Sequence, residues 1–409
     1  MAALSVAEAL ARILSGAAPT GSEPVPLEEA RGRILAEGLA ATLTQPPFPA
    51  SAMDGYAVRA ADVVRLPATL RVTGESAAGH AFAGTLAPQT AVRIFTGAAV
   101  PLGADAIVIQ ENTHRPNGSG HAGPGEDVIV HDGRPDPAHF RPAGYDFREG
   151  DKLLATGTRL DARTLTLAAA MGHATLPVYR RPVVAILATG DELVPPGTAP
   201  GPGQIVSSNP YGLAALVEAA GGRPKLLGIA GDTPDSLAES IAAAAGADIL
   251  VTTGGASVGD HDLVAPALER AGMALDFWKI AMRPGKPLIF GRLGGTRVLG
   301  LPGNPVSTLV CGRVFLVPLI EALSGRPARS DPYETALLAA PVPANGPRQH
   351  YMRAELGRDA EGRLTALPAT SQDSFALRPF AAADALLVRP VDAPPLPAGA
   401  PVPILRIDF

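Results

Sequence analysis

The sequence predicts a multidomain chain of α/β plus β class: a parallel sheet covered by helices, flanked by strand-rich parts, with a small β-barrel at the end. Three observations predict it. At 409 residues the chain is too long for one compact core, so two to four domains are expected. Between about 178 and 325, apolar runs rich in β-branched residues alternate with helix-like segments, as a parallel sheet requires. From about 45 to 145 the texture is short strands and turns, and after about 325 it is short apolar strands rich in Pro, consistent with a barrel.

The elements follow in order. Residues 5–14 (SVAEALARIL) and 27–37 (LEEARGRILAE) have helical spacing with acids and arginines on the outer faces. The Gly, Pro and Asn of residues 115–127 (RPNGSGHAGPGED) mark a hairpin loop. A second helical segment, residues 164–173 (TLTLAAAMGH), is expected to pack back on the first. No repeat of solenoid length is present.

In the α/β part, three apolar runs end in acids: VVAILATGDE (183–192), KLLGIAGD (225–232) and DILVTTGGASVGDHD (248–262). Helices are expected over 210–220 with Asn209 as N-cap, over 234–245 after Thr233, and over 263–268. Parallel strands bind ligands beyond their carboxyl ends, which gathers Asp191 or Glu192, Asp232 and Asp262 at one rim. Each acid is also placed to cap a helix, and both readings stand. Unpaired carboxylates in one crevice repel, and a hard cation carrying a polyphosphate relieves that repulsion. Gly254, Gly255 and Gly259 let backbone amides approach an anion, with Ser257 adding a hydroxyl; the same glycines can serve a tight turn alone.

The segment WKIAMRPGKP (278–287) supplies positive charge. Of only four lysines in the chain, two, Lys279 and Lys286, flank Arg283 here, a pattern for oxyanion contact or for a solvated basic turn. In LGLPGNPVST (299–308), Pro302 and Pro305 fix a sharp turn before an apolar helix over about 306–323. Asp54 and Gly55 in SAMDGYAV read as a tight turn entering a strand. Thr96, in IFTGA, can offer its hydroxyl to a ligand or to its own backbone.

Composition excludes several classes. A formal charge of −5 without a basic tail disfavours general nucleic-acid binding. Cys311 is the only cysteine, so no intrachain disulfide forms, and its apolar helical setting predicts a buried structural thiol. Eight histidines without paired helical spacing give no zinc signature. With no leader and no long uninterrupted apolar span, a soluble cytoplasmic protein without membrane contact is expected.

The combination TGDEL (189–193), TTGGASVG (252–259), PGKP (284–287) and LPGNPVS (301–307) resembles the molybdopterin-binding domain of molybdenum cofactor biosynthesis proteins. PPFPASAMDGYAV (46–58) and RIFTGAAVPLGADAIVIQE (93–111) narrow this resemblance to the MoeA family of molybdopterin molybdenumtransferases, with the E domain of gephyrin. It covers essentially the whole chain. The resemblance implies an elongated N-terminal helical domain (1–44 with 146–177), an inserted strand-rich domain (45–145), a three-layer α/β/α molybdopterin-binding domain (178–325) and a C-terminal β-barrel (326–409).

It further implies a reaction: molybdate joins the dithiolene sulfurs of adenylylated molybdopterin, and AMP is released. Glu192, Asp232 and Asp262 are then the implied holders of Mg²⁺. Lys279, Arg283 and Lys286 would hold phosphate or molybdate, while Thr189, Gly190, Asp191 and the glycine loop bind the pterin and its phosphates. Pro302 and Pro305 would shape the pocket. In RPAGYDFREGD (141–151), Arg141 and Asp146 keep the family spacing, although Tyr145 stands where an acid is usual. Arg283 replaces a common lysine, and QDSFAL (372–377) only loosely matches, which adds Ser374 and Arg353 as further candidates. The implied assembly is a homodimer whose active site combines the sheet domain of one subunit with Asp54 and Thr96 of the other. A molybdopterin adenylyltransferase and downstream molybdenum cofactor enzymes are the implied partners. Two other functions fit parts of the pattern. The shared domain can adenylylate molybdopterin without needing residues 1–175, and a non-catalytic scaffold or carrier is the third reading.

Overall fold

The computed structural model describes residues 3–118, 120–132, 135–255, 263–326 and 332–407. The chain forms two compact units. One contains Met1–Pro24, Gly32–Ala36 and Pro177–Phe409, and the other contains Val25–Arg31 and Glu37–Leu176.

The first unit is organised by a six-stranded sheet in the order Arg223–Ala230, Val183–Thr189, Ile249–Thr253, Thr296–Leu301, Pro287–Leu293, Ala274–Lys279. The first four strands are mutually parallel, and the last two add antiparallel. Helices cover both faces. Val184 and Ile186 face a core shared with Asn209–Ala219 and the run Pro305–Leu323; Ala185 and Leu187 face Pro234–Ala243 and Val264–Arg270. Burial on both faces explains why these strands read as continuous apolar runs. Pro305–Leu323 is long and apolar enough in composition to cross a membrane, but 72% of its apolar window is buried, as befits a core helix.

A closed barrel of five strands follows: Gln349–Arg358, Leu364–Pro368, Glu334–Leu338, Pro401–Arg406 and Ala385–Arg389, closed by pairing of the last with the first. The short strand Met282–Arg283 pairs with the barrel strand Gln349–Arg358, so the basic segment is fastened to the barrel. The second unit holds another six-stranded sheet, ordered Ala106–Ile109, Gly55–Val58, Thr90–Ile94, Ala68–Ser76, Asp127–Val130, Thr113–His114. The last two strands form the hairpin around the loop over 115–127.

Two local expectations are corrected. Residues 27–37 form only a 3₁₀ turn, Leu27–Glu29; Gly32 sits at φ +76°, and Leu35 pairs with Val178 as extended chain, so this apolar spacing is met without a helix. The helix Val6–Leu14, with a Ser5/Glu8 capping box, buries Val6, Ala9 and Ile13 in the core of the first unit; in the second unit, Asp161 caps the helix Ala162–Ala170. Asn209 is the first residue of its helix and not its cap, and no side chain caps this helix; the Asn209 Nδ2 instead donates to Gly303 O (2.8 Å) and Thr308 Oγ1 (3.2 Å). Thr233 does cap its helix, accepting from Ser236 N.

Candidate active site

In the first unit, a cleft of about 640 Å³ opens at the carboxyl ends of Val183–Thr189 and Ile249–Thr253. The chain leaves Val183–Thr189 for a neighbour on one side and returns on the other, so the cleft lies at the switch point where open α/β sheets bind ligands. Thr189, Glu192, Gly254, Gly255, Pro302 and Pro305 all line it. Ser257, Gly259 and Asp262 lie outside the described residues.

The glycines are steric necessities. Gly254 has φ +98°, and a Cβ there would stand 2.4 Å from Thr189 O. At Gly255, φ is +58° and a Cβ would meet Val264 Cγ2 at 2.3 Å. Gly254 therefore packs against the backbone of the neighbouring strand end and Gly255 against the Val264 side chain, and neither position has room for a side chain. Gly190, at φ +142°, reverses the chain so that the Glu192 carboxylate folds over it, 2.3 Å from where a Cβ would be.

The acids separate into two groups. Glu192 faces the cleft. Asp191 and Asp232 hold one another's backbone: Asp232 N donates to Asp191 Oδ1 at 3.0 Å, and Asp191 N to Asp232 Oδ2 at 3.4 Å. Asp191 and Gly190 line a neighbouring cleft of about 540 Å³ that shares Leu193 and Ser207 with the first. Among the described residues, no cluster of three or more His, Cys, Asp or Glu is arranged to hold a metal ion.

Lys279, Arg283 and Lys286 are not among the residues lining the larger cleft, although Pro287, next to Lys286, is. The Lys279 ammonium lies 4.1 Å from the Trp278 ring centre, and residues 279–281 are bracketed by Leu4 through Leu4 N to Lys279 O (3.1 Å) and Ala281 N to Leu4 O (2.7 Å). Gly285 packs on Cys311, 2.4 Å from an added Cβ, and complete burial pushes the Cys311 thiol up to about 12, so it is packing and not a nucleophile.

Arg353 is 2% exposed and does not line the cleft. Its guanidinium donates to Ser371 O (2.9 Å), Asp373 O (2.7 Å) and Gln372 Oε1 (3.3 Å), fixing the loop that brings Ser374 within 3.1 Å of Asn304 Nδ2. Sequence reasoning missed Ser207, Asn209, Ser307 and Phe375, which also line the cleft. The run of small polar residues SSNP (207–210) was the available signal for the first two.

His350 adjoins this region, paired across the sheet with Arg389 and with Arg283. It is 7% exposed, and burial, then Arg283, Arg353, Arg348 and Arg389, lower its pKa to about 4. The unfolded chain protonates first, near 6.5, so stability is full above that pH and declines as pH falls towards 4. Thermal melts from pH 7 to 4.5 should show a loss on the order of 2 kcal/mol that His350→Gln abolishes.

In the second unit, Asp54 and Thr96 meet directly. Asp54 Oδ1 accepts from Thr96 N and from Thr96 Oγ1, both at 2.8 Å. These bonds, the backbone one first, hold the Asp54 carboxyl below the ordinary carboxylate range. Gly55 begins the strand against Val108, whose carbonyl would be 2.0 Å from a Cβ. The exposed Arg141 pairs with Ala50 in the adjoining short ladder, and Ala52 N donates to His139 O (2.9 Å), which brings the 139–141 segment alongside the approach to Asp54. Asp146 is exposed and tied by its backbone to Gln45 O (3.0 Å).

Comparison with known proteins agrees with this layout. Residues 4–172 match the MoeA N-terminal region (domain I and II), 185–322 a probable molybdopterin binding domain, and 335–407 the MoeA C-terminal region (domain IV). A molybdopterin molybdenumtransferase 2 of Mycobacterium tuberculosis is 38% identical over 92% of this chain and 92% of its own length. The chain belongs to the MoeA family. A second MoeA-family relative, the molybdopterin molybdenumtransferase of Nostoc sp., is 43% identical over 74% of this chain and 70% of its own length. The crystal structure of a MoeA molybdopterin biosynthesis protein from Pyrococcus horikosii covers 100% of both chains with a TM-score of 0.84 and 31% identity.

Proposed function

We propose that this protein is a molybdopterin molybdenumtransferase, which inserts molybdate into adenylylated molybdopterin and releases AMP. The observation that carries the reading is the cleft at the sheet switch point, whose tight glycine loop and facing Glu192 occur in a chain related over its length to proteins of that name. The backbone amide of Gly255 suits the pyrophosphate, while that of Gly254 donates to Leu301 O (3.3 Å) and ties the strand end down; the hydroxyls of Ser207 and Ser307 suit the polar edges of the substrate.

Mg²⁺ fits the donor chemistry. In the cleft the Glu192 carboxylate is one hard oxygen ligand, whereas Asp232 is bonded to the Asp191 backbone outside it, so Mg²⁺ would be held by Glu192 and complete its shell with water and substrate phosphates. When bound, it would neutralise the pyrophosphate and activate the water that separates AMP from the pterin phosphate. The remaining chemistry belongs to the substrates: two pterin thiolates displace two oxygens of molybdate, each of which takes up two protons from solvent and leaves as water. Lys279, Arg283 and Lys286 would attract the oxyanion to this end of the sheet.

The active form is proposed to be a homodimer in which Asp54 and Thr96 of one subunit complete the cleft of the other. The exposed side chains of Phe48 (42%) and Met53 (38%) beside Asp54 support a contact surface there. Incubation with adenylylated molybdopterin and Mg²⁺ should release AMP only when molybdate is present. Formation of adenylylated product from ATP and free molybdopterin would instead assign the preceding step, and pterin binding without either reaction would assign a carrier.

A further inference from the structure

The larger cleft has a polar floor and an apolar rim. Glu192, Thr189, Ser207 and the glycine loop contribute the polar part. At the rim stand Phe375, 67% exposed, with Ile205 at 47%, Val206 at 41% and Leu377 at 40%. Isolated exposed apolar residues need no explanation, but four converging on one cleft that also carries polar groups describe a binding surface.

Phe375 is held where it is by an unusual amount of bonding for a loop residue. Arg353 binds the carbonyls of Ser371 and Asp373, and the Gln372 amide is bonded to Arg353 from both sides. Phe375 N donates to Asp373 Oδ1 at 3.0 Å. The preceding residue is tied to the helix entry twice, through Asn304 Nδ2 to Ser374 Oγ (3.1 Å) and Val306 N to Ser374 O (3.3 Å). A large ring is thus exposed to water on a pre-ordered support, which lowers the entropy cost of using it to bind.

We infer that Phe375 is the stacking face for a flat fused nitrogen heterocycle of the substrate, with Ile205, Val206 and Leu377 as the apolar rim around it. Such a ring system combines a π face, which the rim satisfies, with polar edges and a charged tail, which the floor satisfies. The inference rests on the molybdopterin reading, whose substrate carries two candidate rings, the pterin and the adenine. Arg353 and Asn304 act as positioning residues through the loop.

The test is equilibrium binding without molybdate, by calorimetry, of adenylylated molybdopterin, free molybdopterin and AMP to the full-length protein and to Phe375→Ala, Phe375→Leu and Phe375→Trp. Because Phe375 is exposed, unchanged melting temperatures are expected for all three variants. Phe375→Ala should bind adenylylated molybdopterin roughly tenfold to a hundredfold more weakly, Phe375→Leu should recover little, and Phe375→Trp should bind like the parent. The same loss should appear with whichever of free molybdopterin or AMP contains the stacked ring, and be absent with the other. Parent-like affinity of Phe375→Ala or Phe375→Leu for adenylylated molybdopterin would overturn the stacking role while leaving the molybdopterin reading intact. Failure of the parent protein to bind any of the three would instead overturn the molybdopterin reading, and the stacking role with it.

Discussion

Asp54→Asn should yield a folded protein whose molybdate-dependent AMP release is reduced about a hundredfold or more. The asparagine amide oxygen can still accept from Thr96 N and Oγ1, the two 2.8 Å bonds that hold the Asp54 side chain, so the turn survives and only the charge is lost. With its carboxyl held below the ordinary range, chiefly by the Thr96 backbone N–H, Asp54 is ionised throughout the neutral region. It therefore serves as a fixed negative charge or hydrogen-bond acceptor, and not as a proton donor. Thr96→Val removes one of the two donors and should cost less. The shared-site proposal adds a sharper expectation. Asp54→Asn and Glu192→Gln homodimers should each be nearly inactive, whereas dimers made by mixing them should regain one working site in two. Exchange-verified mixed dimers without recovered activity would place both residues in one subunit's site or outside it.

Gly254→Ala should abolish tight substrate binding and lower the melting temperature by several degrees. At φ +98° an alanine is strained by roughly 1–3 kcal/mol, and its methyl carbon would stand 2.4 Å from the Thr189 carbonyl oxygen, so the loop has to move. Displacing the amides by even about 1 Å can cost a hundredfold in a site that depends on orientation. Gly295→Ala is the control, since nothing lies within 4 Å of its Cβ position. Equal effects of the two substitutions, measured by melting and by substrate affinity, would remove the steric argument for the glycine loop.

The α/β core was readable because its strands are buried on both faces, and Val183–Thr189 and Ile249–Thr253 announce that burial in unbroken apolar sequence. The glycine loop was readable for a related reason: residues without a Cβ at a strand end mark a place where backbone must touch backbone. Other features depend on contacts that no local pattern encodes. Residues 27–37 carry helical spacing, yet Leu35 finds an extended partner in Val178, far along the chain. Asp191 and Glu192 are adjacent in sequence and face different clefts in the turn that follows Gly190, whose φ of +142° no local pattern of acids encodes. Asn209 suits an N-cap by residue type, yet the helix takes it in as its first residue and its Nδ2 reaches Gly303 O, a contact set by the distant 302–304 turn. Arg353 is a binding candidate or a surface residue by its sequence, but burial at 2% exposure commits it to the carbonyls of Ser371 and Asp373. The direction of the strand Pro287–Leu293 is set by its antiparallel pairing with Thr296–Leu301, which its own apolar residues do not encode.

The most direct test of metal insertion is the molybdenum content of the pterin product, measured alongside AMP in a single turnover with adenylylated molybdopterin, Mg²⁺ and molybdate. The account predicts one molybdenum per pterin for each AMP released, in a product that activates an apo-molybdoenzyme. AMP release with a metal-free pterin product would contradict it.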